Sequence, residues 1–563
     1  MALNGMFSFR AAEILPPALA AVIWMAAGAT SLPIARPSEL SNVGVRSKTI
    51  LSQPKEIAHG ATYRLTAEFI KDRLNRPTSL ITTTPTMALL GSSLSRPILD
   101  PFDHDITRRV QPHYHEWSAA YGKTFLFWFG SMPRLAVADP AIVRELVLYS
   151  GGKLDKVKFD PQSNQLFGEG LVGLKGKKWA LHRRIINPTF NMERVKCWVP
   201  EIAACASKML DNWEKMGADG GDFEVEVWKE LQQFAADVIS HVAFGSSYEE
   251  GSRIFQLQEE QALLVYLSLE SVYIPGFRYR LIFFKAHQVR SDLNVDVDLY
   301  ELFIPTRRNR RRQKIDKEIK ESLRRLIWSR GDGGEASNNL LGLLMASNRR
   351  RAEEDQMGIE EIVDECKTFY FAGKETTGNL MTWALLLLGL HQEWQTKAQG
   401  EVKSLCGEDK PPTAEDIPRL KTQQMGLVLN ETLRLYSPAS IIRKLVTKNF
   451  KLGTLEVAAG TEVFIPVAAV NRDTELWGND ACRFNPMRFS DGRRGPTGTY
   501  LPFGFGPTIC VGQNLAILEA KMALAMILQR FSSFSVAPSY VHAPSQLITM
   551  QPQYGLQIIF HRA

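Results

Sequence analysis

The sequence predicts a mainly α-helical fold with minor β sheets, preceded by one N-terminal membrane-anchor helix. Three observations carry that reading. Helical patterns dominate from about Pro101 onward. Strand signals are short and late, Phe450 to Val457 and Thr461 to Val467, joined by a turn at Ala459-Gly460. Near the start, Ile14 to Ala35 is a 22-residue run without a charge.

The composition of the 563 residues is that of a globular protein, with 45% hydrophobic, 23% charged and 10% aromatic residues. Disordered, collagen-like and low-complexity classes are excluded. Six scattered cysteines, with no CxxC pair or Cys/His run, argue against a disulfide scaffold or a structural zinc site. A reduced, cytosol-facing body follows. The net charge of +7 is concentrated in one segment: Arg307 to Arg330 holds eleven Lys/Arg against three Asp/Glu. That segment reads as a solvated helix face, with contact to an anionic membrane or a partner as the alternative. No aromatic-interleaved basic groove accompanies it, so nucleic acid is not an expected partner.

At 1.5 Å per residue the Ile14–Ala35 run can cross a hydrocarbon core of about 30 Å. Positive charge is denser after it (Arg36, Arg46, Lys48) than before it (Arg10), which favours a cytoplasmic C-terminal side. A cleaved signal peptide is the rival, but it would secrete a protein without a disulfide framework. The expected organisation is an anchor over residues 1–36, a linker and the start of the body over 37–100, and one catalytic domain over 101–563. Within that domain, Asp364 to His391 reads as a long buried helix; Lys374 and Glu375 argue against a second membrane span. Polar loops are expected at Gly331–Asn339 and Arg349–Met357.

The most informative segment is FGFGPTICVG, Phe503 to Gly512, which runs into an amphipathic helix. Glycine permits unusual dihedrals and the close approach of a flat group. Cys510 would sit at a helix N-terminus, where backbone N–H groups and the macrodipole favour a thiolate. That suits a soft ligand for a metal, a thiolate-ligated haem being one such site. A buried cysteine in a glycine-rich turn is the plain alternative. A dinucleotide loop fits poorly, because GxGxxG spacing and a βαβ unit are missing.

This segment resembles the haem-ligand signature of the cytochrome P450 superfamily, F-x-x-G-x-R-x-C-x-G, with Phe503, Gly506, Cys510 and Gly512 at its fixed positions. Thr508 stands where the family usually places a basic residue that pairs with a haem propionate. Three further motifs follow the family's order. AGKETT, Ala372 to Thr377, resembles the oxygen-binding motif: Ala372 and Gly373 leave room for a diatomic ligand, and Glu375 with Thr376 can relay protons. ETLR (Glu431 to Arg434) and FNPMRF (Phe484 to Phe489) resemble the pair of motifs that set Glu431, Arg434 and Arg488 into a structural charge triad. WALHR resembles W-x-x-x-R, in which Trp179 and Arg183 contact a propionate; Arg443 is a further candidate for that duty. Lys175, Lys177, Lys178 and Arg184 would form a basic proximal face for an acidic flavoprotein donor.

The resemblance runs from about residue 100 to the end. EGLVGLKGKKWALHRRIINPTF, ECKTFYFAGKETT and YVHAPSQLITMQPQYG look like the plant microsomal clan that includes brassinosteroid, cytokinin, gibberellin, terpenoid and fatty-acid hydroxylases. In that clan a segment like VYIPGFRY runs almost directly into one like IPTRRNRR; here Arg280 to Phe303 intervenes. It reads as an insertion from a gene-model error or retained intron, expected to pack poorly, with a genuine longer loop as the alternative.

The resemblance implies a haem-thiolate monooxygenase with haem b. Cys510 would ligate the iron and push electron density that favours O–O cleavage. Dioxygen, and NADPH-derived electrons passed through a separate cytochrome P450 reductase, would be the co-substrates. One oxygen atom would enter an apolar hormone, steroid, terpenoid or fatty acid. The implied location is the endoplasmic reticulum membrane, single-pass, with the catalytic domain cytosolic. Substrate contacts are expected from Asp160–Gly170, Tyr273–Phe277 and the distal helix. A haem-thiolate isomerase or dehydratase is the same-fold alternative, and a haem-poor, catalytically silent binding protein is the other.

Overall fold

The computed structural model describes residues 98–562, apart from 130–131, 160, 218–220, 246–247, 270–306, 332–338, 350–355, 409, 421–423 and 492–495. The expected anchor at 14–35 and the expected insertion at 280–303 lie outside the described residues, as does most of the two expected polar loops. All described residues except Arg307–Arg310 belong to one compact unit.

Twelve helices of ten or more residues make up about half of the described residues. They are α1 (Pro112–Tyr121), α2 (Pro140–Tyr149), α3 (Gly176–Ile186), α4 (Val199–Met216), α5 (Val227–Phe244), α6 (Tyr248–Leu269), α7 (Arg307–Gly331), α8 (Leu340–Arg349), α9 (Ile359–Leu390), α10 (Gln392–Cys406), α11 (Gln424–Leu435) and α12 (Gln513–Arg530). The minor sheets are as small as expected. A five-stranded sheet has the order β1 (Thr124–Phe129), β2 (Met132–Val137), β8 (Glu462–Pro466), β5 (Ile441–Val446), β3 (Leu154–Lys156). A three-stranded sheet joins β4 (Phe223–Glu226), β12 (Gln557–His561) and β9 (Ser533–Val536). Two hairpins remain, β6 (Phe450–Leu452) with β7 (Leu455–Val457) and β10 (Pro544–Gln546) with β11 (Met550–Pro552).

The late strands differ from the expected pair. Phe450–Val457 folds back on itself at Gly453, whose φ of 57° is left-handed, while β8 leaves it to pair antiparallel with β5 and parallel with β2. The apolar pattern of both segments was legible, but their partners lie elsewhere in the chain.

The central helix α9 starts five residues earlier than expected. Glu361 accepts the Gly358 N–H at 2.9 Å, and Glu360 and Glu361 place negative charge on the first turn. Beyond that turn the helix is buried on all sides, as its near-continuous apolar sequence requires. Among the described residues, no helix is long and apolar enough to cross a membrane. Helix α5 packs closely along α9, because a Cβ on Gly373 would stand 2.8 Å from the Ile239 side chain and one on Gly378 would stand 2.7 Å from Gln232.

The basic segment forms α7, and it is not a simple solvated face. Ile315, Ile319, Leu323 and Ile327, four residues apart, bury one stripe in the main core. Around the stripe the charges pair: Arg311 with Glu260, Arg324 with Glu360, Asp316 with Lys367 and Lys320 with Asp364. Three of its basic residues, Arg311, Lys320 and Arg324, thus help dock α7 on α6 and α9, while Arg307, Arg308, Arg310, Lys314, Lys317 and Arg325 form the expected exposed face.

Below the large sheet a buried ion pair fixes the approach to residues 503–512. Arg434 holds Glu431 through two parallel bonds of 2.6 and 2.7 Å, both side chains being 0% exposed. Its remaining N–H groups donate to the carbonyls of Asn471, Ala481 and Arg483. Glu431 also accepts the Asn485 N–H at 2.9 Å, and Arg488 approaches it at 3.5 Å while bonding Trp477 and Asp480. Tyr500 donates to the Asn430 carbonyl, which ties the entry to the glycine-rich segment onto the same helix. Removing one partner leaves a buried charge uncompensated and costs about 3–5 kcal/mol. Arg434→Leu should therefore lower the urea unfolding midpoint steeply or abolish soluble expression; a wild-type midpoint would contradict the bracing role.

Candidate haem-thiolate site

Phe503 to Gly512 folds as a tight hairpin at the start of α12. The Cys510 N–H donates to the Phe503 carbonyl at 2.9 Å and the Ile509 N–H to Gly506 at 3.1 Å. Gly504 and Gly506 take φ values of 78° and 67°, where a side chain is strained. Gly512 caps α12, and the N–H groups of Gly512 and Gln513 bond the Cys510 thiol. Arg183 of α3 donates to the Ile509 carbonyl at 2.8 Å, beside the same thiol.

Cys510 has open surface, yet the surrounding protein desolvates it strongly. A side chain with both properties borders a cavity rather than the outer surface. Burial pushes the thiol pKa up, and the two N–H groups and Arg183 pull it back only in part. The helix terminus was expected to favour a thiolate; here burial outweighs it. A coordinated metal ion reverses that balance, because coordination removes the thiol proton.

The central helix shows the same signature. From Ile362 to Gly389 every residue is buried except four: Ala372, Gly373, Glu375 and Thr376. An otherwise buried helix that opens only there lines a cavity at that turn. Thr376 Oγ1 donates to the Ala372 carbonyl at 2.7 Å, the back-bond typical of a helical threonine. The missing Cβ of Gly373 faces Ile239, so that glycine serves helix packing. Burial holds the Glu375 carboxyl above the usual carboxylate range, Lys374 opposing this and Glu259 adding to it. Lys374 itself is ion-paired with Glu259 of α6. Next to this opening, Leu166, Val265 and Phe371 form an apolar cluster with Phe167, Ala262 and Ile548 against it. The expected contact region Asp160–Gly170 thus contributes Leu166 and Phe167, while Tyr273–Phe277 lies outside the described residues.

Helix α3 is seated on α9 by His182, whose Nδ1 lies 2.6 Å from Glu365, and by Lys178 with Glu361. That pairing takes Lys178 out of the expected basic face; Lys177 and Arg184 remain exposed. Trp179 is half-buried, with the Lys156 ammonium 5.6 Å above its ring. Arg443 lies on the other side of its strand from this group and pairs with Glu462 at 3.5 Å, next to the Arg134–Glu462 pair.

Its neighbour Lys444 turns the opposite way and bonds the Thr508 hydroxyl, its ammonium 5.1 Å from the Phe505 ring. In the β3–β5 register Lys444 stands directly opposite Lys156. Two like charges placed so are destabilising unless an anion joins them. Burial lowers the pKa of both, that of Lys156 to about 8, with Asp155 opposing and Lys444 adding to the shift. Sequence reasoning missed this lysine pair. The signal for it was strand alternation, which puts residue 443 or 444 on the loop side but not both.

Away from this region, Cys205, Asp237 and His241 come within 4.8 Å of one another between α4 and α5, a group no sequence spacing revealed. Both the thiol and the imidazole bond the Asp237 carboxylate, so hydrogen bonding accounts for the cluster.

A solitary sulfur ligand held by a glycine hairpin, with an acid–alcohol pair on a buried helix, defines the haem-thiolate class of oxidoreductases. The chain belongs to the cytochrome P450 family, whose profile, Cytochrome P450, matches residues 103–558. It is 43% identical to Cytochrome P450 734A1 of Arabidopsis thaliana, over 82% of this chain and 85% of the relative. It is 41% identical to Cytochrome P450 72A15 of the same plant (84% and 88% covered) and 40% identical to Secologanin synthase 1 of Catharanthus roseus (84% and 86% covered). The protein is a monooxygenase, and its family implies haem, dioxygen, reductase-derived electrons and a small-molecule substrate.

The donor set fits such a cofactor. Cys510 would offer a soft sulfur ligand, and Arg183, Lys156 and Lys444 would offer desolvated cations for two carboxylates. Lys444→Leu should lower the haem retained per chain several-fold after gel filtration, whereas Arg443→Leu should leave it near wild type. Equal retention in both variants would remove Lys444 from the site.

Proposed function

We propose that the protein is a single-pass, endoplasmic-reticulum-anchored haem b monooxygenase whose catalytic domain faces the cytosol. It hydroxylates an apolar hormone, steroid, terpenoid or fatty acid at an unactivated C–H bond. The observation that carries this reading is the opening of a buried helix at Ala372, Gly373, Glu375 and Thr376 alone, beside an apolar wall. We propose further that this opening and Cys510 border one cavity. The uncharged run Ile14–Ala35 supports the anchor, and exposed Lys177 and Arg184 support docking of an acidic reductase that passes electrons from NADPH.

When bound, the haem activates dioxygen, aided by the thiolate ligand. The chain's own residues do the rest. Phe167, Ala262 and Ile548, the partly exposed members of the apolar cluster, hold an apolar substrate and exclude water, with Leu166, Val265 and Phe371 packed behind them. Glu375, whose carboxyl burial holds above the usual carboxylate range, can hold a proton and release it into the cavity. Thr376, on the same turn, gives its hydroxyl hydrogen into the cavity once it leaves the Ala372 carbonyl. An acid–alcohol pair facing a cavity favours this reading over an isomerase that uses no dioxygen. Lys156 and Lys444, with Arg183 and Trp179, would hold the propionate edge.

Reconstituted with a plant reductase, NADPH and isotopically labelled dioxygen, the protein should return product carrying one labelled oxygen atom. In Thr376→Ala, NADPH consumption should continue while product per NADPH falls about a hundredfold, the lower end of the range for losing a proton donor. Unchanged product per NADPH would remove Thr376 from proton delivery; a product formed without dioxygen would overturn the monooxygenase reading.

A further inference from the structure

Glu375 has a hydrogen-bonding neighbour outside the AGKETT motif. Thr549, in the bend Leu547–Thr549 between β10 and β11, lies with its Oγ1 3.4 Å from Glu375 Oε2. The same oxygen lies 3.0 Å from Asn379 Nδ2, one helical turn beyond Glu375 on α9. Asn379 is fully buried, and its Oδ1 is met by Trp228 Nε1 at 2.9 Å and Gln232 Nε2 at 3.0 Å, both from α5.

The direction of every bond in this chain follows from chemistry. An indole N–H only donates, so the Asn379 atom facing Trp228 is its oxygen. Its NH2 group therefore faces Thr549 and donates there. The Thr549 hydroxyl, already accepting, has one hydrogen left to give, and Glu375 Oε2 is the acceptor beside it. Gly378 makes the arrangement possible: a Cβ there would stand 2.7 Å from Gln232 Nε2 and displace it. The remaining charged neighbours of Glu375 are Lys374, 3.6 Å from Oε1, and Glu259 of α6, which Lys374 also pairs.

We propose that Thr549 is a positioning residue for Glu375, oriented by the Trp228–Gln232–Asn379 clamp so that it donates to the carboxylate. The inference rests on the proposed role of Glu375 in proton delivery. The clamp fixes one carboxylate oxygen and holds the acid partly against the burial that raises its pKa. The β10–β11 bend also carries Ile548, part of the apolar wall, so substrate contact and proton delivery share one short segment.

The test is pH-difference infrared spectroscopy of the full chain loaded with haem. The carboxylic-acid C=O band of Glu375 is assigned by its loss in Glu375→Gln. In Thr549→Val the titration midpoint of that band should rise by about one pH unit, since a hydrogen bond to a charged group is worth about 1.5–3 kcal/mol and one unit is about 1.4 kcal/mol. Thr549→Ser, which keeps the hydroxyl, should restore the wild-type midpoint, and Trp228→Phe should raise it by less than Thr549→Val. An unmoved midpoint in Thr549→Val, or a serine variant that behaves like valine, would overturn the proposal. The reduced carbon monoxide spectrum of the same samples tests the haem site separately: its loss in the wild type defeats the functional reading, whatever the band does.

Discussion

Burial opposes a thiolate at Cys510, and much of the structure is arranged against that cost. The hairpin from Phe503 to Gly512 brings two backbone N–H groups to the sulfur, α12 supplies its positive end, and Arg183 is held beside it by the Ile509 carbonyl. These terms offset the burial of the thiol only in part. The hairpin needs a rigid support, and Arg434 provides it. One guanidinium holds Glu431 and three carbonyls, and through Asn485 and Tyr500 the same helix anchors both segments leading to the loop.

The central helix solves a second problem, that of presenting polar chemistry inside an apolar core. Two of its three glycines, Gly373 and Gly378, lie where α5 must come close, and between Ile362 and Gly389 its accessible residues lie on one turn. Charges upstream are each matched: Asp364 with Lys320, Glu365 with His182, Lys367 with Asp316. Helices α3 and α7 are thereby fixed to α9, so that Trp179 and Arg183 keep their place relative to it.

Local pattern carried much of this. The glycine-rich run located the hairpin that carries Cys510, the AGKETT segment located the turn where α9 opens, and Glu431 with Arg434 fell on one helix face at a spacing of three. What local pattern could not carry depends on register and on distant contacts. Arg443 and Lys444 are adjacent in sequence, and only the pairing of β5 with β3 and β8 decides which faces Thr508. The basic run concealed a four-residue apolar spacing that docks α7. The link from Asn379 to Thr549 spans 170 residues and joins a helix to a hairpin bend, so no window of sequence contains it. At Thr508, where the family usually carries a basic residue, the hydroxyl is met by the Lys444 ammonium from β5.

The central claim is that Cys510 ligates haem through sulfur in this chain despite Thr508. The most direct measurement is the carbon monoxide difference spectrum of the reduced, full-length protein, with haem quantified, beside that of Cys510→Ser. A red-shifted thiolate-type Soret band at near-stoichiometric haem, absent from the serine variant, is the predicted result. Folded wild-type protein with little haem, or a thiolate-type band that survives the substitution, would contradict it.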